Sequence, residues 1–393
     1  MAERRVPALL AALLERPTAP FREMHVRGAA EAWCARRGLP CHRDAFGNLV
    51  VGAPSPQAWA RLLRAGTAAE PVRLFVAHMD HPGFHGVRWL GPTRLEARWL
   101  GGGPVRHLRG ARVWLADAEG ERGAGRIVRA VPDRSGRWPE RLELAVELDG
   151  AGRRPAARAL FGGLAFRAPW WRGGRRLHAR VCDDLVGVWA ALEAAAWGLA
   201  RGRPAAALLT RGEEVGFTGL VAHLESLPRR PAGRRLVVVS LETSRQLPGA
   251  RIGGGPVVRL GDRRTVFDPA ATEVLALAAR RTLPGAHQRR LMDGGACEAT
   301  AATAWGLPAV GISVPLGNYH NQGFEGGPDC RGREGPAPEH VDLGDALGTL
   351  RLCRALARPG LPWADPWAAA RRRLARNLAR HRARARVPGE GAC

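Results

Sequence analysis

Five short apolar runs in this chain each stop at a carboxylate or a histidine, and no other feature constrains the fold as strongly. Leu74–Ala77 runs into His78 and Asp80, His178–Val181 into Asp183 and Asp184, and Ala206–Leu209 into Glu213 and Glu214. Val237–Ser240 runs into Glu242, and Val310–Val314 into Tyr319 and His320. Short apolar runs bounded by turns read as buried strands. Helical stretches lie between them, near Asp183–Leu199, Ala270–Arg281, Ala296–Trp305 and Leu343–Arg358. This alternation predicts an α/β fold, a mostly parallel twisted sheet flanked by helices. Ligand sites of such sheets lie beyond the carboxyl ends of the strands, so two histidines and several carboxylates are expected in one crevice.

Between about residues 84 and 172 the texture changes. Short β-like runs (Ala111–Ala116, Arg126–Ala130, Arg141–Leu148) alternate with Gly-rich turns, which predicts a small all-β domain inserted into the larger one. The expected division is 1–83 and 173–365 for the large domain, 84–172 for the insert, and 366–393 for an Arg-rich tail forming a basic surface helix.

Composition removes several classes. At 46% hydrophobic and 24% charged residues the chain is neither disordered nor fibrous, and no apolar run approaches the roughly 18 residues of a membrane span. The net charge of +24 invites a nucleic-acid reading. Yet every one of the 60 basic residues is Arg, dispersed among 50 Gly and 30 Pro. Codon bias accounts for that better than a binding stripe does, and no nucleic-acid partner is expected. Seven Cys at irregular spacing, without a CxxC pair, predict free thiols in a reducing, cytoplasmic setting. Val6–Leu14 is short and ends in Glu15-Arg16, so an amphipathic first helix is expected there rather than a leader.

Carboxylates crowded into one crevice repel one another and pay for desolvation. A pair of divalent cations resolves the conflict, because imidazole and carboxylate suit Zn²⁺ and its neighbours. The adjacent Glu213 and Glu214 offer one group to ligate and one to accept a proton from a shared water. On an extended segment His78 and Asp80 point the same way, so the Asp80 carboxylate is expected either to accept the hydrogen bond of His78's free ring nitrogen and orient it or to point into the same pocket.

At these residues the sequence resembles the co-catalytic zinc aminopeptidases of the M42 group, within the wider M20/M28/M18 clan. The likeness runs from about residue 20 to 358. Besides the residues above it includes Asp44-x-x-Gly47-Asn48-Leu49, Asp183-Asp184-x-x-Gly187, Glu213-Glu214-Val215-Gly216-Phe217-x-Gly219, Gly253-Gly254-Gly255-Pro256 and Ile312-Ser313-Val314-Pro315. The resemblance implies two divalent metal ions per subunit, Zn with Co or Mn as alternatives. His78, Asp183 and Glu242 would hold one. Asp183 as a bridge, with Glu214 and His320, would hold the other. Glu213 would be the general base, a metal-bridging hydroxide the nucleophile, and Cys297 and Glu298 would lie near the substrate; Tyr319, beside His320, reads as an aromatic packed on a ligand or as a donor to the oxyanion of the substrate. A peptide or small amide substrate, no membrane partner, and a homo-oligomer assembled through the β insert are further implications. The chain departs from the group in four places. Glu242 stands where M42 usually has Asp, and Leu185 stands for a common Arg. Gly294-Gly295-Ala296-Cys297-Glu298-Ala299 replaces Gly-Gly-Thr-Asp-Ala, and the loop from Asn321 to Pro338 is longer than expected. These mark a divergent branch. Two alternatives stay open: a metal-dependent deacylase or amidohydrolase on small N-acyl compounds, and a non-enzymatic, basic nucleic-acid-binding protein.

Overall fold

The computed structural model describes residues 5–150, 153–227 and 235–385. Helices α1 (Ala8–Leu14) and α2 (Met24–Arg36) precede a hairpin of β1 (Cys41–Arg43) and β2 (Leu49–Val51), and α3 (Pro56–Ala65) follows. After β3 (Val72–His78) come six strands: β4 (Gly83–Trp89), β5 (Arg94–Leu100), β6 (Arg112–Asp117), β7 (Gly120–Pro132), β8 (Pro139–Leu148) and β9 (Phe161–Leu164). The chain then continues through β10 (Trp170–Gly173), β11 (Arg176–Ala179), α4 (Leu185–Leu199), β12 (Ala205–Thr210), α5 (Thr218–Ser226) and β13 (Leu236–Arg245). It ends with β14 (Val257–Asp262), α6 (Pro269–Thr282), β15 (Gln288–Met292), α7 (Glu298–Ala304), β16 (Ala309–Gly317), β17 (Glu339–Asp342), α8 (Leu343–Leu356) and α9 (Ala368–Ala385).

The large sheet runs β1-β2-β12-β3-β13-β16-β17-β11-β10, with β14 and β15 attached at β16. Its four central strands β12, β3, β13 and β16 are parallel, as expected, and both wings add antiparallel strands. Because β17 is antiparallel to both β16 and β11, β11 again points the same way as the central strands. The carboxyl ends of β3, β11, β12, β13 and β16 therefore share one edge, and the amino end of β17 lies there too. Helix α4 is apolar nearly all round, with Leu185, Val188, Trp189, Leu192 and several Ala buried. It packs on the sheet and is covered on its other side by α1 and α8, as a helix without a polar face requires. In α1, Leu10, Leu13 and Leu14 join the same core.

The six strands β4-β5-β8-β7-β6-β9 close into a barrel. Alternate residues, including Phe84, Leu95, Ala97, Val113, Leu115 and Leu144, fill its interior. The barrel ends at Leu164. Trp170–Gly173, assigned to the insert from sequence through residue 172, instead pairs with β11 in the large sheet. Strands β14 and β15 were not expected. They carry Arg259, Arg289 and Arg290, which masks the apolar pattern. In the tail, α9 is exposed over residues 371–382, and residues 386–393 lie outside the described residues.

Candidate metal centre

All five runs deliver their polar residues to the shared edge. His78 ends β3, Glu213 and Glu214 follow β12, and Glu242 lies on β13 beside Ser313 of β16. His78 Nε2 stands 3.4 Å from Asp183 Oδ1 and 3.6 Å from Glu242 Oε1. On the other side His320 Nε2 lies 3.0 Å from Glu214 Oε2 and 3.8 Å from Asp183 Oδ2. Asp183 thus turns one oxygen toward each histidine. Glu213 Oε2 is 3.9 Å from His78 Nε2, nearly as close as Glu242. Two triads, His78–Asp183–Glu214 and His78–Glu213–Glu242, have potential ligand atoms within 4.8 Å of one another.

The electrostatics are those of an acid-rich pocket. Burial opposes protonation of His78, but Glu213, Asp183 and Glu242 outweigh it and hold the imidazole well above its usual range. Burial and then the neighbouring Glu242 push the Asp183 carboxyl well up, and burial does the same to Glu213. Against burial, His320 draws Glu214 down and His78 draws Glu242 down. Asp183 Oδ1 and Glu214 Oε1 are buried and make no hydrogen bond. Unsatisfied anionic oxygens facing two imidazoles are a donor set that divalent cations fit.

The supporting shell differs from expectation in one respect. His78 Nδ1 hydrogen-bonds the backbone carbonyl of Asp80 at 3.1 Å, while the Asp80 carboxylate stays 3.7 Å away. That carboxylate instead accepts from the backbone N–H of Glu213 (3.0 Å) and of Glu214 (3.1 Å). Asp80 therefore orients the Glu213–Glu214 turn rather than His78, because that turn presents two free amides to it. Asp184 caps α4, accepting from Gly187 N at 3.1 Å, and is fixed by Thr243 Oγ1 at 2.8 Å. The Asp183–Asp184 peptide is cis.

Two further residues hold the site and were not anticipated. Glu23 accepts from Gly212 N at 3.1 Å and from Arg211 Nε at 2.7 Å, anchoring the turn ahead of Glu213. Glu339, at the start of β17, accepts from Cys182 N, Asp183 N and His320 N at 2.7, 3.0 and 2.9 Å. The turn it grips is strained: Asn318, His320 and Asn321 all have left-handed backbones (φ 56°, 52° and 57°), at roughly 1–3 kcal/mol each. Gly102, just past β5, presses against His320. A Cβ there would lie 2.2 Å from Nδ1 of that ring, so the insert supplies one wall of the site.

A small cleft of about 30 Å³ adjoins the cluster, lined by Glu242, Tyr319, Ser244, Arg259, Met292 and the Gly294–Ala296 turn. Tyr319 stacks on His320 with ring centroids 3.7 Å apart. Cys297, expected near the substrate, is fully buried below the turn, its N–H held by Asp262 at 3.1 Å. Cys297 leads into α7, so the turn gives the cleft Ala296 instead. Glu298 is also buried, behind the cluster rather than in the cleft, and burial lifts its carboxyl to about 8. Arg259 is 2% exposed, and its Nη1 donates to Ser244 Oγ (3.1 Å) and Ser313 Oγ (3.2 Å). It forms no ion pair among the described residues.

Residues 166–323 match the family described as M42 glutamyl aminopeptidase. No curated protein matches the chain. Among solved structures, the Pyrococcus horikoshii TET1 peptidase, described as assembling into a tetrahedron or a large octahedral shell, is 21% identical. The match covers 89% of this chain and 98% of that one, at a TM-score of 0.66. A TET aminopeptidase from a marine-sediment Thaumarchaeota archaeon is 18% identical over 92% of this chain and 99% of that one, at 0.64. An M18-family aminopeptidase of Thermotoga maritima is 14% identical over 89% and 95%, at 0.60. The chain thus carries a segment, 166–323, that matches the M42 glutamyl aminopeptidase family, within a fold similar to those of the solved TET and M18 aminopeptidases.

Proposed function

We propose that the protein is a dinuclear metal-dependent aminopeptidase that removes acidic residues from the N-termini of peptides. The observation that carries the reading is Asp183, with one oxygen toward His78 and the other toward His320. His78, Asp183 and Glu242 would hold one cation, and Asp183, Glu214 and His320 the other. The chemistry that bound cations supply is polarisation of the scissile carbonyl and acidification of a water. Glu213, its backbone fixed by Asp80, takes the proton from the attacking water and returns it to the leaving amine. Tyr319, stacked on His320, walls the cleft beside Glu242. Arg259 supports the acidic preference. Its Nε is buried without a hydrogen-bond partner, which is costly unless an arriving acceptor satisfies it, and Arg matches carboxylate geometry in two-point contacts. The description of the matched family as glutamyl aminopeptidase agrees.

The test is metal content together with hydrolysis of a panel of free and N-acetylated aminoacyl amides. Two cations per chain and cleavage of free-amine Glu and Asp substrates are expected. Cleavage of blocked substrates alone would shift the reading to a deacylase. Glu213→Gln should keep both cations and lose about 10²–10⁴-fold in kcat. Arg259→Met should erase the preference for Glu over Leu by about 10- to 100-fold, as loss of a charged hydrogen bond of roughly 1.5–3 kcal/mol implies.

A further inference from the structure

We infer that Glu339 is a positioning residue for the metal pair, tying the backbone that carries Asp183 to the backbone that carries His320. The inference rests on the dinuclear reading above. Glu339 is fully buried and has no cationic partner among the described residues. Its Oε2 accepts from Cys182 N (2.7 Å) and Asp183 N (3.0 Å), and its Oε1 from His320 N (2.9 Å). A buried carboxylate is tolerated only when fully hydrogen-bonded, and this one is satisfied by three amides of two distant segments. Those segments bring in the bridging carboxylate and a ligand of the second cation.

His320 needs such a tie. It sits in a left-handed turn, φ 52°, between Asn318 and Asn321, which are left-handed too, so no helix or strand ladder holds its N–H. His81 braces the same joint, with Nδ1 on Asp183 O at 2.7 Å and Nε2 on Asn321 Oδ1 at 3.3 Å. Glu339 touches neither reacting atoms nor cations. It acts through the distance between Asp183 and His320, 3.8 Å from Oδ2 to Nε2.

Both oxygens are required. Glutamine has the same shape but only one acceptor, so its NH₂ must face either the Cys182–Asp183 amides or the His320 amide. One tie then breaks. Glu339→Asp keeps the charge but is too short to reach both segments, and serves should the glutamine variant fold poorly. The protein is stripped of metal and titrated with Co²⁺, following the visible Co²⁺ spectrum and cations bound per chain, beside the melting temperature of the metal-free form. Wild type is expected to bind two. Either variant is expected to keep one site, weaken the second by about 10- to 100-fold, and lose kcat with KM little changed. Two cations bound with wild-type affinity and spectrum overturn the inference, whether or not the metal-free melting temperature falls. A wild type that binds fewer than two overturns the dinuclear reading and this inference with it.

Discussion

Position 102 shows how much of the site hangs on single residues. With a Cβ 2.2 Å from His320 Nδ1, Gly102→Ala must displace the imidazole or the strand end behind it. We expect a tenfold or greater fall in kcat and loss of one cation, with the fold intact by circular dichroism. Full activity in that variant would mean that the ring has room to move. That His78, Asp183, Glu213, Glu214, Glu242 and His320 would crowd one edge was legible from sequence because each follows an apolar run, whereas their separate roles came from the family resemblance alone. The partner of Asp80 was not legible. The spacing in His78-x-Asp80 is right for a hydrogen bond to the ring, but only the folded chain brings the Glu213 and Glu214 amides to that carboxylate. Cys297 shows the reverse, since one residue along a tight turn separates cleft from core.

At the level of elements, β11 and β17 place His178 and His340 opposite each other. Their rings lie 5.3 Å apart, and Trp171 stacks on His178 at 5.1 Å. Burial, then the nearby Arg176 and His178, depress His340 from 6.5 to about 4. In the unfolded chain it binds a proton below about 6.5, and in the folded protein only below about 4. Between those values the unfolded state holds more protons, so this contribution to stability is complete above pH 6.5 and lost as the pH falls toward 4. A shift of this size corresponds to at most about 3 kcal/mol. Urea titrations from pH 4 to 7 check this: His340→Leu should lose a slope that wild type shows over that window, and identical slopes would refute the assignment. Glu339 went unread for a reason at this same scale. It opens an antiparallel strand, so its amino end reaches the edge where other strands deliver their carboxyl ends. Strand direction is a matter of pairing, which apolar pattern does not encode.

For the molecule as a whole, the barrel is both a support of the metal centre, through Gly102 against His320, and a candidate assembly surface. We propose that this chain forms a homo-oligomer through that surface. Light scattering should then give a mass several times 42.3 kDa, and a value at the single-chain mass would remove assembly from the reading. The Arg-rich α9 leaves Leu374 60% and Leu378 51% exposed, far from close packing. Removing residues 366–393 is expected to leave kcat/KM within twofold. A larger loss would place the tail in the catalytic unit.

The sequence by itself determined the α/β class, the β insert and the identity of the residues that crowd the sheet edge, because apolar periodicity and chain order are local properties. Only the tertiary structure decided which carboxylate faces which histidine, that Arg259 is buried beside the cleft, that a glycine of the insert abuts His320, and that Glu339 joins two segments of the site. Those facts depend on pairing between strands distant in sequence and on turns whose direction is set by what they pack against. No stretch of residues carries that information alone.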